Sequence, residues 1–204
     1  MKAKKVLALV LCAALLVAGS VAATLAYLTS KTEVVTNTFS VGNVTITLDE
    51  TDVDVYGKKD GDSRVTENTY KLIPGHNYLK DPTIHVKKGS EECWLFVKVV
   101  DEIAAIQDAT TVADQMAENG WEKLTGEENV WFYNTKVDAR TAENDVDVDI
   151  FGEFTIKNDA QLFDAEDNAI YAGKTITVQA YAVQADGFTD ALDAWSDAAL
   201  KDWQ

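Results

Sequence analysis

Cysteine, proline, histidine and basic residues are all scarce in this chain, and each shortage removes a class of protein. Of the two cysteines, Cys12 sits in a leading apolar run and only Cys93 stands in the remainder. Once that run is removed, no internal disulfide can form. Cys93 lies within "CWLFVKVV", where a buried, inert thiol is expected rather than a reactive one. Two prolines and no serine-rich run leave no linker to divide the chain. Lys and Arg number 18 against 34 Asp and Glu, a net charge of −16. That balance argues against nucleic acid or an anionic lipid surface as a partner and suits divalent cations or basic polymers.

Motifs for catalysis are missing as well. The chain has no HExxH, no GxSxG, no glycine-rich phosphate loop and no cysteine pair at metal spacing, so no catalytic residue and no cofactor is expected. His76 and His85, the only histidines, stand nine residues apart around a turn that holds Asp81. These three are the only candidates for zinc, and they fall short of a standard ligand set. Asp145, Asp147 and Asp149 alternate and should project from one face. Such a row fits either weak calcium binding or a solvated acidic edge that discourages strand pairing.

What the chain does have begins at its start. Lys2, Lys4 and Lys5 precede an unbroken apolar run from Val6 to Val17, and small residues follow from Ala18 to Ala26. This is the pattern of an export signal. The bonds after Ala22, Ala23 and Ala26 all fit the small-x-small cleavage rule, and composition does not choose among them. The alternative is an uncleaved anchor, since Val6 to Leu28 is long enough to cross a bilayer. A lipoprotein is not expected, because Leu11 precedes Cys12 where a small residue is needed. Residues 27–204 would then form one domain of 178 residues around a single core. Three lysines leave with the signal, so 15 basic residues face 34 acidic ones and the charge becomes −19.

The period along this remainder is mostly two. "VTITLDE" sets Val44, Ile46 and Leu48 on one face, "TIHVK" sets Ile84 and Val86, and "KTITVQAYAV" sets Ile176, Val178, Ala180 and Ala182. These predict half-buried strands. "CWLFVKVV" and "VDIFGEFTIK" are more apolar and read as central strands, with "VWFYN" a shorter one. "KKDGDS" at 58–63, "PGHN" at 74–77 and "KKGSEE" at 87–92 read as turns. Two short helices are expected. Residues 112–120 place Val112, Ala113 and Met116 together with Gly120 as a stop, and "DALDAWSDAALKDW" places Leu192, Trp195 and Ala199 on one side. Strands at this spacing without βαβ alternation predict an all-β, antiparallel sandwich of jelly-roll type with one or two peripheral helices.

Three segments carry a family resemblance: "LAYLTSKTEVVTNTFSVGNVTITLDE", "LIPGHNYLKDPTIHVKKGSEECWLFVKV" and "AYAVQADGF". In their order and wording they resemble the TasA/camelysin group of exported Gram-positive proteins. The resemblance implies export by a SipW-type signal peptidase that cuts between Ala26 and Tyr27, so that the protein meets the membrane only before cleavage. It further implies a jelly-roll fold and a secreted subunit of the biofilm matrix that polymerises into fibres. Assembly in the group is by donation of the freed N-terminal strand, here 27–41, to the next subunit. In this segment Leu28, Ser30, Thr32, Val34, Thr36 and Thr38 would face one way, and Tyr27, Thr29, Lys31, Glu33, Val35 and Phe39 the other. Ladder hydrogen bonds of net ~0.5–1.5 kcal/mol each, with pockets for Leu28, Val34 or Val35, would set its register. An ordinary first strand within its own subunit is the competing reading. An accessory subunit or adhesin is a further alternative, and the camelysin branch adds a metallo-endopeptidase. No LPxTG-like signal follows "ALKDWQ", so covalent wall attachment is not expected.

Overall fold

The computed structural model describes residues 42–197. The export segment 1–26, the Ala26–Tyr27 bond and the strand 27–41 with Leu28, Val34, Val35 and Phe39 lie outside the described residues, as does Ala199. Among the described residues the strands are β1 (Ile46–Val53), β2 (Lys59–Val65), β3 (Asn77–Leu79), β4 (Thr83–Val86), β5 (Cys93–Asp101), β6 (Trp121–Lys123), β7 (Val130–Tyr133), β8 (Val146–Asp149), β9 (Glu153–Thr155) and β10 (Ile176–Gln184). Two short helices accompany them, α1 (Val112–Glu118) and α2 (Ala191–Asp197).

Every strand pairing is antiparallel. One sheet runs β2-β1-β4-β8, a second runs β10-β5-β7-β6, and β3 pairs with β9. The described residues are therefore of the all-β class, with only two short α-helices. Both four-stranded sheets feed one core: Ile84 and Val86 of β4 and Val148 of β8 pack with Cys93, Leu95, Val97 and Val99 of β5. Alternation explains the choice of residues, since every second side chain of a strand reaches the same face. Strand β5 is buried on both faces. Its other row, Trp94 and Phe96, lies under α2 with Ala185, Ala191 and Ala194, which accounts for the continuous apolar run in its sequence.

Four expectations need correction. "KKDGDS" is not a turn: most of it belongs to β2, an edge strand whose outward, polar composition mimics a loop. The turn falls earlier, where the Asp54 carboxylate accepts from the backbone N–H of Tyr56 and of Lys58, each at 2.9 Å. It closes at Gly57, with φ +72, where a Cβ would lie 2.7 Å from Tyr78 Cα. "VDIFGEFTIK" is not one central strand either. Ile150 and Phe151 are adjacent yet both pack into the same core cluster, whereas neighbours in a flat strand point to opposite faces, so the chain kinks there and divides into β8 and β9. The Gln115 side chain of α1 grips the kink, its Oε1 accepting from Gly152 N at 3.1 Å and Glu153 N at 3.2 Å.

The other two corrections concern the helices. In α1, Thr111 and Asp114 form a reciprocal capping box and Val112 and Met116 are buried, but Ala113 is exposed. Gly120 follows at φ +89, as its role of stop requires. In α2 the buried residues are Ala191 and Ala194, while Leu192 is 52% exposed. The small side chains let the helix approach the rings of Trp94 and Phe96 closely, and Trp195 packs beside Phe96 at 5.1 Å between centroids.

Candidate functional site

His85 and the alternating aspartates lie together on the outer face of the β2-β1-β4-β8 sheet. There β8 pairs beside β4 with His85 opposite Asp147 and Thr83 opposite Asp149, and Lys87 follows directly after β4. His85 Nδ1 lies 2.6 Å from Asp147 Oδ1 and its Nε2 lies 2.9 Å from Asp49 Oδ1. With a carboxylate at each nitrogen, the ring can donate to both only as an imidazolium. Partial burial opposes that charge, but the hydrogen bonds and charges of Asp49 and Asp147 outweigh it and raise the His85 pKa above its ordinary value. Asp49 also takes the Arg64 guanidinium from β2. Burial works against the Asp49 anion, yet Arg64 and His85 hold its pKa below the usual carboxylate range.

The three zinc candidates occupy different settings. Asp81 accepts from Thr51 N and Thr51 Oγ1, both at 2.7 Å, and lies 3.4 Å from Arg64 Nη1. His76 is turned to the backbone oxygen of Tyr56 at 2.8 Å and packs edge-on against Tyr78. The alternating aspartates do share a face. Asp145 takes Lys87 Nζ and Lys88 N, both at 3.0 Å, Asp147 takes His85, and Asp149 takes Thr83 Oγ1 at 3.1 Å. Both oxygens of Asp145 and one each of Asp147 and Asp149 are thus engaged by β4 and the residues just after it. Among the described residues no group of three or more His, Cys, Asp or Glu side chains is placed to hold a metal ion. Cys93 is fully buried, and burial pushes its pKa up to about 12, so the thiol stays protonated and unreactive.

A second feature was not foreseen. An open cleft of about 790 Å³ lies beside β1 and β10, lined by Leu48, Tyr70, Leu72, Phe154, Ile176 and Val178. Tyr70 and Phe154 meet edge-on among its lining residues, and Tyr78 packs against both, stacked on Phe154 at 4.9 Å. The Tyr70 hydroxyl donates to Leu79 O at 3.0 Å, and burial raises its pKa. On the rim, Phe163 is 55% exposed on a small hairpin pinned by Asp164, whose carboxylate accepts from Glu166 N and Asn168 N. Exposed apolar side chains beside an apolar cleft mark an interaction surface more often than chance placement.

An ion pair is also among the residues that line the cleft. Lys80 Nζ is 2.6 Å from Glu50 Oε2, and Asn68 Nδ2 donates to Glu50 Oε1 at 2.9 Å. The residues' relative exposures are 4% for Glu50 and 9% for Lys80. The sequence did carry a signal for it: Ile46, Leu48 and Glu50 have the same parity, so a carboxylate interrupts the inward face of β1.

No protein-family model, curated protein or solved structure matches the chain.

Proposed function

We propose that this protein is a secreted, non-catalytic structural subunit that polymerises into extracellular matrix fibres, the segment 27–41 of one copy entering the cleft of the next. In this reading the two packed sheets are a jelly roll, and a SipW-type signal peptidase frees Tyr27 by cutting after Ala26. The observation that carries it is the open apolar cleft beside Ile176 and Val178 of β10 and Leu48 of β1. The donor suits that cleft by charge. In a chain of net −16, residues 24–48 hold only Lys31 and Glu33 as charged groups, one of each sign, so little must be desolvated on entry.

Cleavage acts as the switch in this scheme, because the donor strand stays tethered at the membrane until the signal is removed. A head-to-tail contact that does not close on itself grows a filament. Electron microscopy of the chain starting at Tyr27, beside a version lacking residues 27–37, tests the proposal. Filaments should form only from the longer chain, while both keep the far-UV signature of a β protein. Filaments from the shortened chain would sink strand donation, and dispersed particles from both would point to an accessory subunit or adhesin.

A further inference from the structure

We infer that Lys80 sets the register of the strand received in the cleft, by donating a hydrogen bond to a side-chain hydroxyl of that strand; this rests on the strand-donation reading above. Glu50 is satisfied from within the protein, one carboxylate oxygen taking Lys80 Nζ and the other Asn68 Nδ2. Asn68 is satisfied too: its amide also donates to Thr51 O at 2.8 Å and its oxygen accepts from Val53 N at 3.1 Å. Lys80 is not. An ammonium carries three N–H donors, and among the described residues one acceptor meets them, Glu50 Oε2. A cation buried to this extent and lining the cleft is costly unless its remaining donors find oxygen.

The chemistry of the missing acceptor follows from the pair itself. Glu50 and Lys80 together are neutral, so an arriving carboxylate would meet Glu50 and an arriving ammonium would meet Lys80, each desolvated beside a like charge. An uncharged oxygen has no such conflict. In a paired strand the main-chain carbonyls belong to the ladder while side chains point into the cleft, so the acceptor is a side chain. The face of the donor that carries Leu28 and Val34 offers hydroxyls between and beside them, at Ser30, Thr32 and Thr36. A face that intersperses apolar residues with hydroxyls matches a cleft that sets Leu48, Ile176 and Val178 beside the buried Lys80. A slip of one residue would bring Lys31 or Glu33 to that cation and lose the register.

The test is the critical concentration for filament growth of the full chain from Tyr27, read by sedimentation. In the first variant Glu50→Gln and Lys80→Gln are made together, which keeps the pair neutral and hydrogen-bonded. In the second Ser30→Val, Thr32→Val and Thr36→Val are made together, in a segment that should be more apolar and bind better if the hydroxyls were idle. Each variant should raise the critical concentration at least tenfold, and combining them should raise it little further, because both remove the same bond. An unchanged value for either variant, or two effects that multiply in full, would overturn the inference and leave strand donation standing. Should the first variant lose its cooperative melt, the second decides alone. No filaments from the unaltered chain would overturn strand donation itself.

Discussion

The two four-stranded sheets share a core but cover their outer faces in opposite ways. Behind β5, Trp94 and Phe96 are roofed by α2 and excluded from water. Across the molecule's other sheet, Arg64, Asp49, His85 and Asp147 form a polar chain from β2 through β1 and β4 to β8. The first arrangement gains from area removed from water, about 25 cal/mol per Å². The second gains from charge-assisted hydrogen bonds on a half-open face, where solvent and salt weaken every pair. An acidic chain can tile one sheet with carboxylates only by setting its few cations among them.

This contrast can be broken in order of effect. Phe96→Ala should cost most, about 3–5 kcal/mol, since Phe96 is fully buried under α2; urea denaturation monitored by circular dichroism reads the loss. His85→Asn should cost about 1 kcal/mol, because it leaves two carboxylates facing each other on a face that is only half dry. Its sharper signature is in pH. His85 is raised in the folded state, so its contribution is whole below about pH 6.5, the unfolded value, and is lost as pH climbs through the folded value. Asp49 is lowered, so its contribution holds above about pH 3.9 and is lost as pH falls through the folded value. Denaturation midpoints should therefore decline on the alkaline side in the unaltered protein and stay flatter there in His85→Asn; parallel profiles would remove His85 from the account. Least affected should be Arg140→Ala. Its partner Asp138 is two residues away and both are well exposed, so the thermal midpoint should not move.

Legibility followed the geometry of each element. Strands with one wet and one dry face, such as "TIHVK" and "KTITVQAYAV", announced themselves through alternation, and β5 through its unbroken apolar run. Strand β2 did not, because an edge strand exposed along most of its length has no buried row to mark it. The break between β8 and β9 also escaped, since Ile150 and Phe151 look like a continuous strand until Gln115, distant in sequence, takes the backbone of Gly152 and Glu153. For the site, Asp145, Asp147 and Asp149 were legible as one face, whereas the partners of His85 were not. Asp49 and Asp147 stand 36 and 62 residues away from it.

By itself the sequence determined the all-β class, the rows that line the core, the placing of both helices and the inert character of Cys93. These follow from local rules, because side-chain period and burial preference act over a few residues. Only the tertiary structure decided which carboxylates meet His85, that His76 and Asp81 stand apart from it, and that Glu50 and Lys80 pair among the residues that line an apolar cleft. Pairing register and sheet packing bring those groups together from distant positions, and no local period encodes such a meeting.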